Sequence, residues 1–390
     1  MNRITRFVGL FAGLTLSAIC WAQPQASLEF IDRWGQLAPY EQTFPANQIP
    51  PSGFSNPTGL DFLSADRVLI TDYGNNKLQN CRITGEDCRW IGNDGGFGRN
   101  QPGVFDRPHG VQVRPGDGRF AIADEDNHAV QLCSLVSCVF RGDSTTTDND
   151  PSSGLGRWAF PDDVAFDPEG RVYGLDTGNN RIQILDVDDL RVLGTFMRGG
   201  SSLGQIEGAR GLDVDADGLV IIADTGNHRI QICDTNANCT AFGSQGSGAG
   251  QFNEPVGLEV DPLGRIWVAD TGNNRIQVCT YDGDCTVFGS GNGYTFNAPH
   301  DIAVHPNGTL AVANTSSNQI LIFRTEAAGF AFNAGYNDAW FDPNTAGQGF
   351  FINVFPDQGS LFVANFTFDT ERPPGDVTAI LGEPGHRWLT

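Results

Sequence analysis

The chain has 390 residues, and its 46 acidic side chains against 24 Lys and Arg give a formal net charge of −22. Phosphate backbones and anionic lipid headgroups are bound through clustered Lys and Arg, and no basic stripe occurs here, so nucleic acid is excluded as a partner. Forty-nine glycines, two methionines and frequent Asp-Gly-like turns argue for an all-β chain of short strands.

Residues 1–22 read as an export signal. Arg3 and Arg6 supply the positive start, an apolar run extends from Phe7 to Cys20, and Ala22 offers a small residue for cleavage. The run is too short for a membrane span, and the bulky Ile19 before Cys20 argues against acylation at that cysteine. A secreted or periplasmic, oxidising location is expected.

From Phe54 one pattern recurs six times. Its clearest copy runs from Phe252 to Cys279, and the others begin at Phe54, Phe105, Trp158, Ile206 and Phe296. A landmark acid or amide falls at Asp72, Asp124, Asp176, Asp224, Asp270 and Asn314, 44 to 52 residues apart, which suits one four-stranded blade per copy. Within the clearest copy the pattern predicts strands at Val256–Val260, Arg265–Ala269, Arg275–Cys279 and Cys285–Gly289. A tight turn is predicted at Thr271–Asn274. The landmark aspartates and the Arg181, Arg229, Arg275 series recur too often to serve a single chemical step. Turn closure by hydrogen bonds and ion pairs is expected of them. His128 and His228 replace Asn in that turn and read as turn surface, as does His305; His386 is unplaced.

The order Pro-x-Gly, Asp-x-x-Gly, Ala-Asp, Asn-x-Arg-Ile-Gln resembles the NHL-repeat family over residues 28–325. The resemblance implies a six-bladed β-propeller. The sixth copy lacks a fourth strand, which Leu28–Gly35 is expected to supply, closing the ring and removing both free edges. The propeller is assigned to residues 23–327.

Cys20 leaves with the signal, and eight other cysteines form close pairs: Cys81/Cys88, Cys133/Cys138, Cys233/Cys239 and Cys279/Cys285. In each pair the first is expected to end a third strand and the second to begin a fourth. These antiparallel neighbours suit disulfides within blades. Zinc binding by these cysteines is disfavoured, because each pair lies on a different blade.

Candidate chemistry gathers where equivalent positions line one rim of the channel. The residue after the repeat's proline is Thr58, His109, Asp162, Arg210 (following Ala209), Val256 and His300, and the next positions include Asp163 and Asp301. Pro108-His109-Gly110 and Pro299-His300-Asp301 are similar to motifs of the peptidyl-hydroxyglycine lyases, which are six-bladed propellers. That resemblance implies zinc on His109 and His300 and structural calcium at Asp301. Arg210 stands where a third histidine ligand belongs, and a guanidinium cannot ligate zinc. Tyr73 is the aromatic residue following a landmark aspartate, where that family has a catalytic tyrosine; Thr177 and Thr225 follow it in blades three and four. Two arrangements stay open. His109 and His300, with Asp162 or Asp163, hold a metal while Arg210 receives a ligand carboxylate; or the histidines bond backbone and Arg210 pairs with the aspartates.

Residues 328–390 form an aromatic-rich segment, similar to a small C-terminal β module of secreted bacterial proteins. It is predicted to contain a hairpin of Gly349–Phe355 and Ser360–Phe368 around Pro356–Gly359. Its aromatics suit a protein partner or, alternatively, sugar binding. The leading functional expectation is a scaffold binding a protein, a peptide or a small carboxylate-bearing ligand at the rim. The alternative is a metal-dependent lyase or hydrolase centred on His109 and His300.

Overall fold

The computed structural model describes residues 27–37, 53–92, 101–142 and 154–325, together with the backbone of three strands at 338–341, 348–355 and 360–367. The expected export signal, Cys20, His386 and the aromatic side chains of the tail lie outside the described residues.

Six four-stranded antiparallel sheets follow one another as the blades of a propeller. In blade five the strands are Pro255–Val260, Ile266–Asp270, Arg275–Cys279 and Cys285–Phe288. The predicted turn is a short 3-10 segment, Thr271–Asn273, closed by Asn274 at φ 52°. That left-handed conformation is one Asn tolerates better than most residues, which explains the residue choice. The missing strand of blade six is Leu28–Trp34, which pairs antiparallel with Gln319–Thr325 and closes the ring. The tail forms a separate three-stranded antiparallel sheet in which Gln348–Phe355 pairs with both Asp338–Phe341 and Ser360–Thr367.

The core is distributed into six apolar clusters, each between two neighbouring blades. The residue opening each repeat is a wedge in the preceding seam. Phe54, Ile206 and Phe252 are fully buried, and Phe105, Trp158 and Phe296 nearly so. Burying such a side chain contributes about 1.5–3 kcal/mol, more than any single exposed ion pair, so apolar contact between blades dominates cohesion.

Hydrogen bonds set the register. In blade five, Asp270 accepts the Asn253 amide at 2.8 Å, Arg275 Nε at 2.6 Å and Gln277 Nε2 at 3.0 Å. Arg275 also donates to the carbonyls of Ser247, Gly248 and Gln251. Blades three and four repeat the ion pair with Asp176–Arg181 and Asp224–Arg229. The recurring acids are therefore turn closures.

The turn asparagines do more than occupy a turn. At every seam the turn residue accepts the backbone amide just before the next inner strand. Asn318 receives Asn56, Asn76 receives Arg107, Asn180 receives Gly208 and Asn274 receives Ala298. His128 and His228 do the same through Nδ1, toward Phe160 and Glu254. Expected to be turn surface, these histidines are inter-blade acceptors, because Nδ1 takes the place of the asparagine carbonyl oxygen.

All four expected disulfides form within their blades: Cys81–Cys88, Cys133–Cys138, Cys233–Cys239 and Cys279–Cys285, with Cα separations of 4.0–4.1 Å. In three of them the first cysteine ends the third strand and the second begins the fourth, as Cys133 and Cys138 do in blade two. Blade one departs from that expectation. Its third strand continues past Cys81 to Arg82, and Cys88 lies just before the fourth strand, Arg89–Ile91, rather than within it. The reason is the longer connection, in which the Arg82 amide bonds the Glu86 carbonyl and the chain turns back before Cys88. The two sides of each bridge also differ in burial. Cys81 and Cys133 are sealed in apolar seams, whereas Cys88 and Cys138 are only partly buried, because they lie at the outer edge of the blade. Such bonds indicate an oxidising, extracytoplasmic environment. Among the described residues no helix is long and apolar enough to cross a membrane.

Candidate functional site

Inner strands run along the channel, so the residue after each repeat proline marks one mouth, and residues three or four further on approach the other end. At about 3.3 Å per residue the two levels are roughly 10 Å apart.

At the first mouth the repeat is broken in one sector. In blades three to six a threonine follows the landmark residue and donates to the next blade. Thr177 bonds the Ala209 carbonyl, Thr225 that of Pro255, Thr271 that of Pro299 and Thr315 that of Pro57. Blades one and two carry Tyr73 and Glu125 instead. Sequence reasoning singled out Tyr73 and missed Glu125; the interruption of the threonine series was the available signal.

Tyr73 and Glu125 join the predicted rim residues in one cluster. The His109 ring meets His300 edge-on, with centroids 4.6 Å apart, and Tyr73 at 5.8 Å. Tyr73 donates its hydroxyl hydrogen to Glu125, and Arg107 lies over the Tyr73 ring at 5.7 Å. His109 Nδ1 lies 3.1 Å from the Asp162 carbonyl oxygen. A carbonyl only accepts, so Nδ1 carries the proton and Nε2 is left as an acceptor. Arg210 Nε is 3.5 Å from Asp162 Oδ2. Asp162 Oδ1 lies 3.3 Å from His109 Nδ1 but out of hydrogen-bonding alignment, so it is buried without a donor, as is Glu125 Oε2.

Burial sets the charge states. Desolvation, reinforced by the Arg210 charge, lowers His109 to about 3, and desolvation with His109 and Arg210 nearby also lowers His300 well below the usual range. Both rings are neutral at pH 7. Desolvation, with Asp162 nearby, raises Glu125 to about 7, and burial also raises Asp162 despite Arg210. Arg210 is the cation at the centre of this cluster, and its side chain is 40 % exposed.

Asp163 and Asp301 do not join this cluster. They lie deeper, each bridging a seam: Asp163 accepts the Leu212 amide at 2.8 Å and Asp301 the Leu60 amide at 2.9 Å. The other seams are bridged two residues further along the inner strand. Asp61 accepts from Val113, Gln112 from Phe166, Asp213 from Val260 and Glu259 from Val304. Each seam thus has one channel-lining acceptor. Where that acceptor is the earlier aspartate, the later position is a small residue, Ala165 or Ala303.

The residues do not fit the metals that the lyase resemblance implies. The third position is a guanidinium, which cannot ligate a cation, and the Asp301 carboxylate holds a backbone amide. Among the described residues no group of three or more His, Cys, Asp or Glu side chains is arranged to hold a metal ion.

A cavity of about 550 Å³ opens at the opposite end of the channel, lined by the later halves of the inner strands and the turns that follow.

The NHL-repeat profile matches residues 208–233, 252–279 and 296–323, which lie in blades four, five and six. Blades one to three share the same seam and landmark bonds. The chain carries NHL repeats within a six-bladed propeller. No curated protein matches it in sequence. Among solved structures, one similar fold is a protein of unknown function from Bacteroides thetaiotaomicron (TM-score 0.57, 15% identity, 77% of each chain covered). Another is an auxiliary nutrient binding protein from Bacteroides ovatus (TM-score 0.55, 14% identity, 77% of this chain and 78% of that one). A third is a virginiamycin B lyase from Staphylococcus aureus (TM-score 0.50, 12% identity, 77% of this chain and 99% of that one). At these identities this propeller shares only its fold with them.

Proposed function

We propose that the protein is a secreted or periplasmic binding module whose first channel mouth takes a ligand carboxylate, carried by a small molecule or a peptide. Its fold serves binding proteins and lyases alike, so the site residues must carry the argument. The observation that carries it is Arg210. Its guanidinium is part-exposed and approaches Asp162 through Nε at 3.5 Å, and among the described residues none of its nitrogens makes a short, well-aligned hydrogen bond. A planar guanidinium with a free edge matches a carboxylate in bidentate fashion. The two neutral imidazoles beside it add acceptors and donors without a second charge.

The test is calorimetric titration of the oxidised protein with short peptides bearing free or amidated C-termini. Saturable binding of the free acid alone, lost in Arg210→Gln, supports the reading. Equal binding of both forms, or binding indifferent to Arg210→Gln, overturns it.

The competing reading, a metal-dependent lyase or hydrolase, draws on the 4.6 Å contact between His109 and His300. Elemental analysis of the wild type beside His109→Ala and His300→Ala separates the two. Stoichiometric metal that disappears in the variants would favour the enzyme.

A further inference from the structure

The channel's second mouth has the opposite chemistry. The cavity there, about 550 Å³, lies within the roughly 300–1,000 Å³ typical of small-molecule sites. Every blade contributes an apolar side chain to its lining, among them Phe62, Val113, Phe166, Val214, Val260 and Val304. Asp61, Asp213 and Glu259, from three different blades, lie at its channel side together with Gln112.

We propose that this cavity binds a small organic ammonium with an apolar body. The ring of Val and Phe provides a surface for hydrocarbon, and the carboxylates select the sign of the polar group. Among the described residues no lysine lines the cavity; Arg114, at its rim, is paired with Asp117 at 2.9 Å, and His305, which also lines it, accepts the Asn307 amide through Nδ1. An anionic ligand would face three carboxylates with no cation to receive it.

A metal ion is a poorer fit than an ammonium. The carboxylates belong to separate blades, each already accepts a seam amide, and no group of three is arranged to hold an ion among the described residues. An ammonium needs only acceptors spread around it. Burial supports the same conclusion. Desolvation raises Asp61 to about 7 and Asp213 to about 6, and it lifts Glu259 well above the usual range with Asp61 and Asp213 adding repulsion. A cation in the cavity would relieve that penalty.

The experiment is calorimetric titration of the intact oxidised protein with 2-phenylethylamine, with 3-phenylpropionate as a control of similar shape and opposite charge. One-to-one saturable binding of the amine only is expected. Glu259→Gln keeps a side-chain carbonyl for the Val304 amide while removing the carboxyl that a bound ammonium would draw into its charged form, and should weaken the amine about tenfold. Asp282→Asn, on an exposed turn, changes net charge equally and should have no effect. If near-UV circular dichroism shows Glu259→Gln to be misfolded, Asp61→Asn serves as the second variant. The proposal is overturned by absence of saturation, by equal binding of 3-phenylpropionate, by calcium chloride displacing the amine, or by unchanged affinity in a folded Glu259→Gln. These outcomes do not depend on Arg210, so failure here leaves the first mouth untouched.

Discussion

Each turn histidine and asparagine does two jobs, and single substitutions separate them. His228 sits at φ 55° and accepts the Glu254 amide at 3.1 Å. His228→Ala would lose that acceptor and keep the unfavourable backbone, at a cost of about 2 kcal/mol from the two effects together. His228→Asn, which restores the sister-blade residue, should leave the urea midpoint unchanged or raise it. Equal midpoints for the two variants would show that the seam bond contributes nothing. The landmark pair is more demanding. Arg275 is nearly buried, bonds Asp270 and donates to three carbonyls. Arg275→Ala leaves a buried carboxylate without its cation and is expected to cost about 3–5 kcal/mol by chemical denaturation.

A blade's strands are short, and its outermost strand has only one neighbour within the sheet. Four blades hold that strand with a disulfide; blade three has none, and blade six uses Leu28–Trp34 in its place. The cross-link joining Cys233 to Cys239 closes a loop of a few residues, so the chain-entropy contribution is about 2 kcal/mol. The Cys233→Ser, Cys239→Ser double variant should unfold at lower urea by that amount while keeping its far-UV spectrum. A midpoint equal to the wild type would mean that interleaved apolar packing alone secures the strand.

Most blade-scale features were legible beforehand, because the strand pattern, the turn residues and the paired cysteines all lie within one repeat of about fifty residues. Strand ends moved by a residue. Asp270 belongs to its strand because it pairs with Arg275 across the sheet, and Cys88 falls outside its own because the loop before it turns late. What the turn asparagines bond was not legible, since their partners lie on the next blade.

At the scale of the whole ring, five channel carboxylates cross seams away from bulk water. Asp61 titrates at about 7 and Asp301 at about 8 chiefly through desolvation, while burial lifts Asp163 and Glu259 well above the usual range. In the unfolded chain such groups titrate at about 4. The folded state therefore holds protons that the unfolded state has already lost. Stability from this source is complete below about pH 4 and declines as pH rises through the folded values. His109 and His300 act in the opposite direction, but only below about pH 6.5, where the unfolded imidazoles charge. Between pH 7 and 8.5 the carboxylates act without them, and the urea midpoint should fall. Asp301→Asn should make the fall shallower. A midpoint that rises over this window would contradict the desolvation argument.

By itself the sequence determined the number of blades, the closing strand, the disulfide pairing and the structural role of the recurring acids. Each depends on a local pattern copied six times, and copies that must pack side by side constrain one another. It also pointed to His109, Arg210 and His300 as departures from the repeat at one rim. Only the tertiary structure decided which departures meet. Closing the ring brings Tyr73, Glu125, Asp162 and Arg210 together from four blades, commits Asp163 and Asp301 to seams, and hollows the cavity beneath Glu259. Those outcomes depend on how far each inner side chain reaches toward the neighbouring blade, a distance set by the packing of whole blades around the channel.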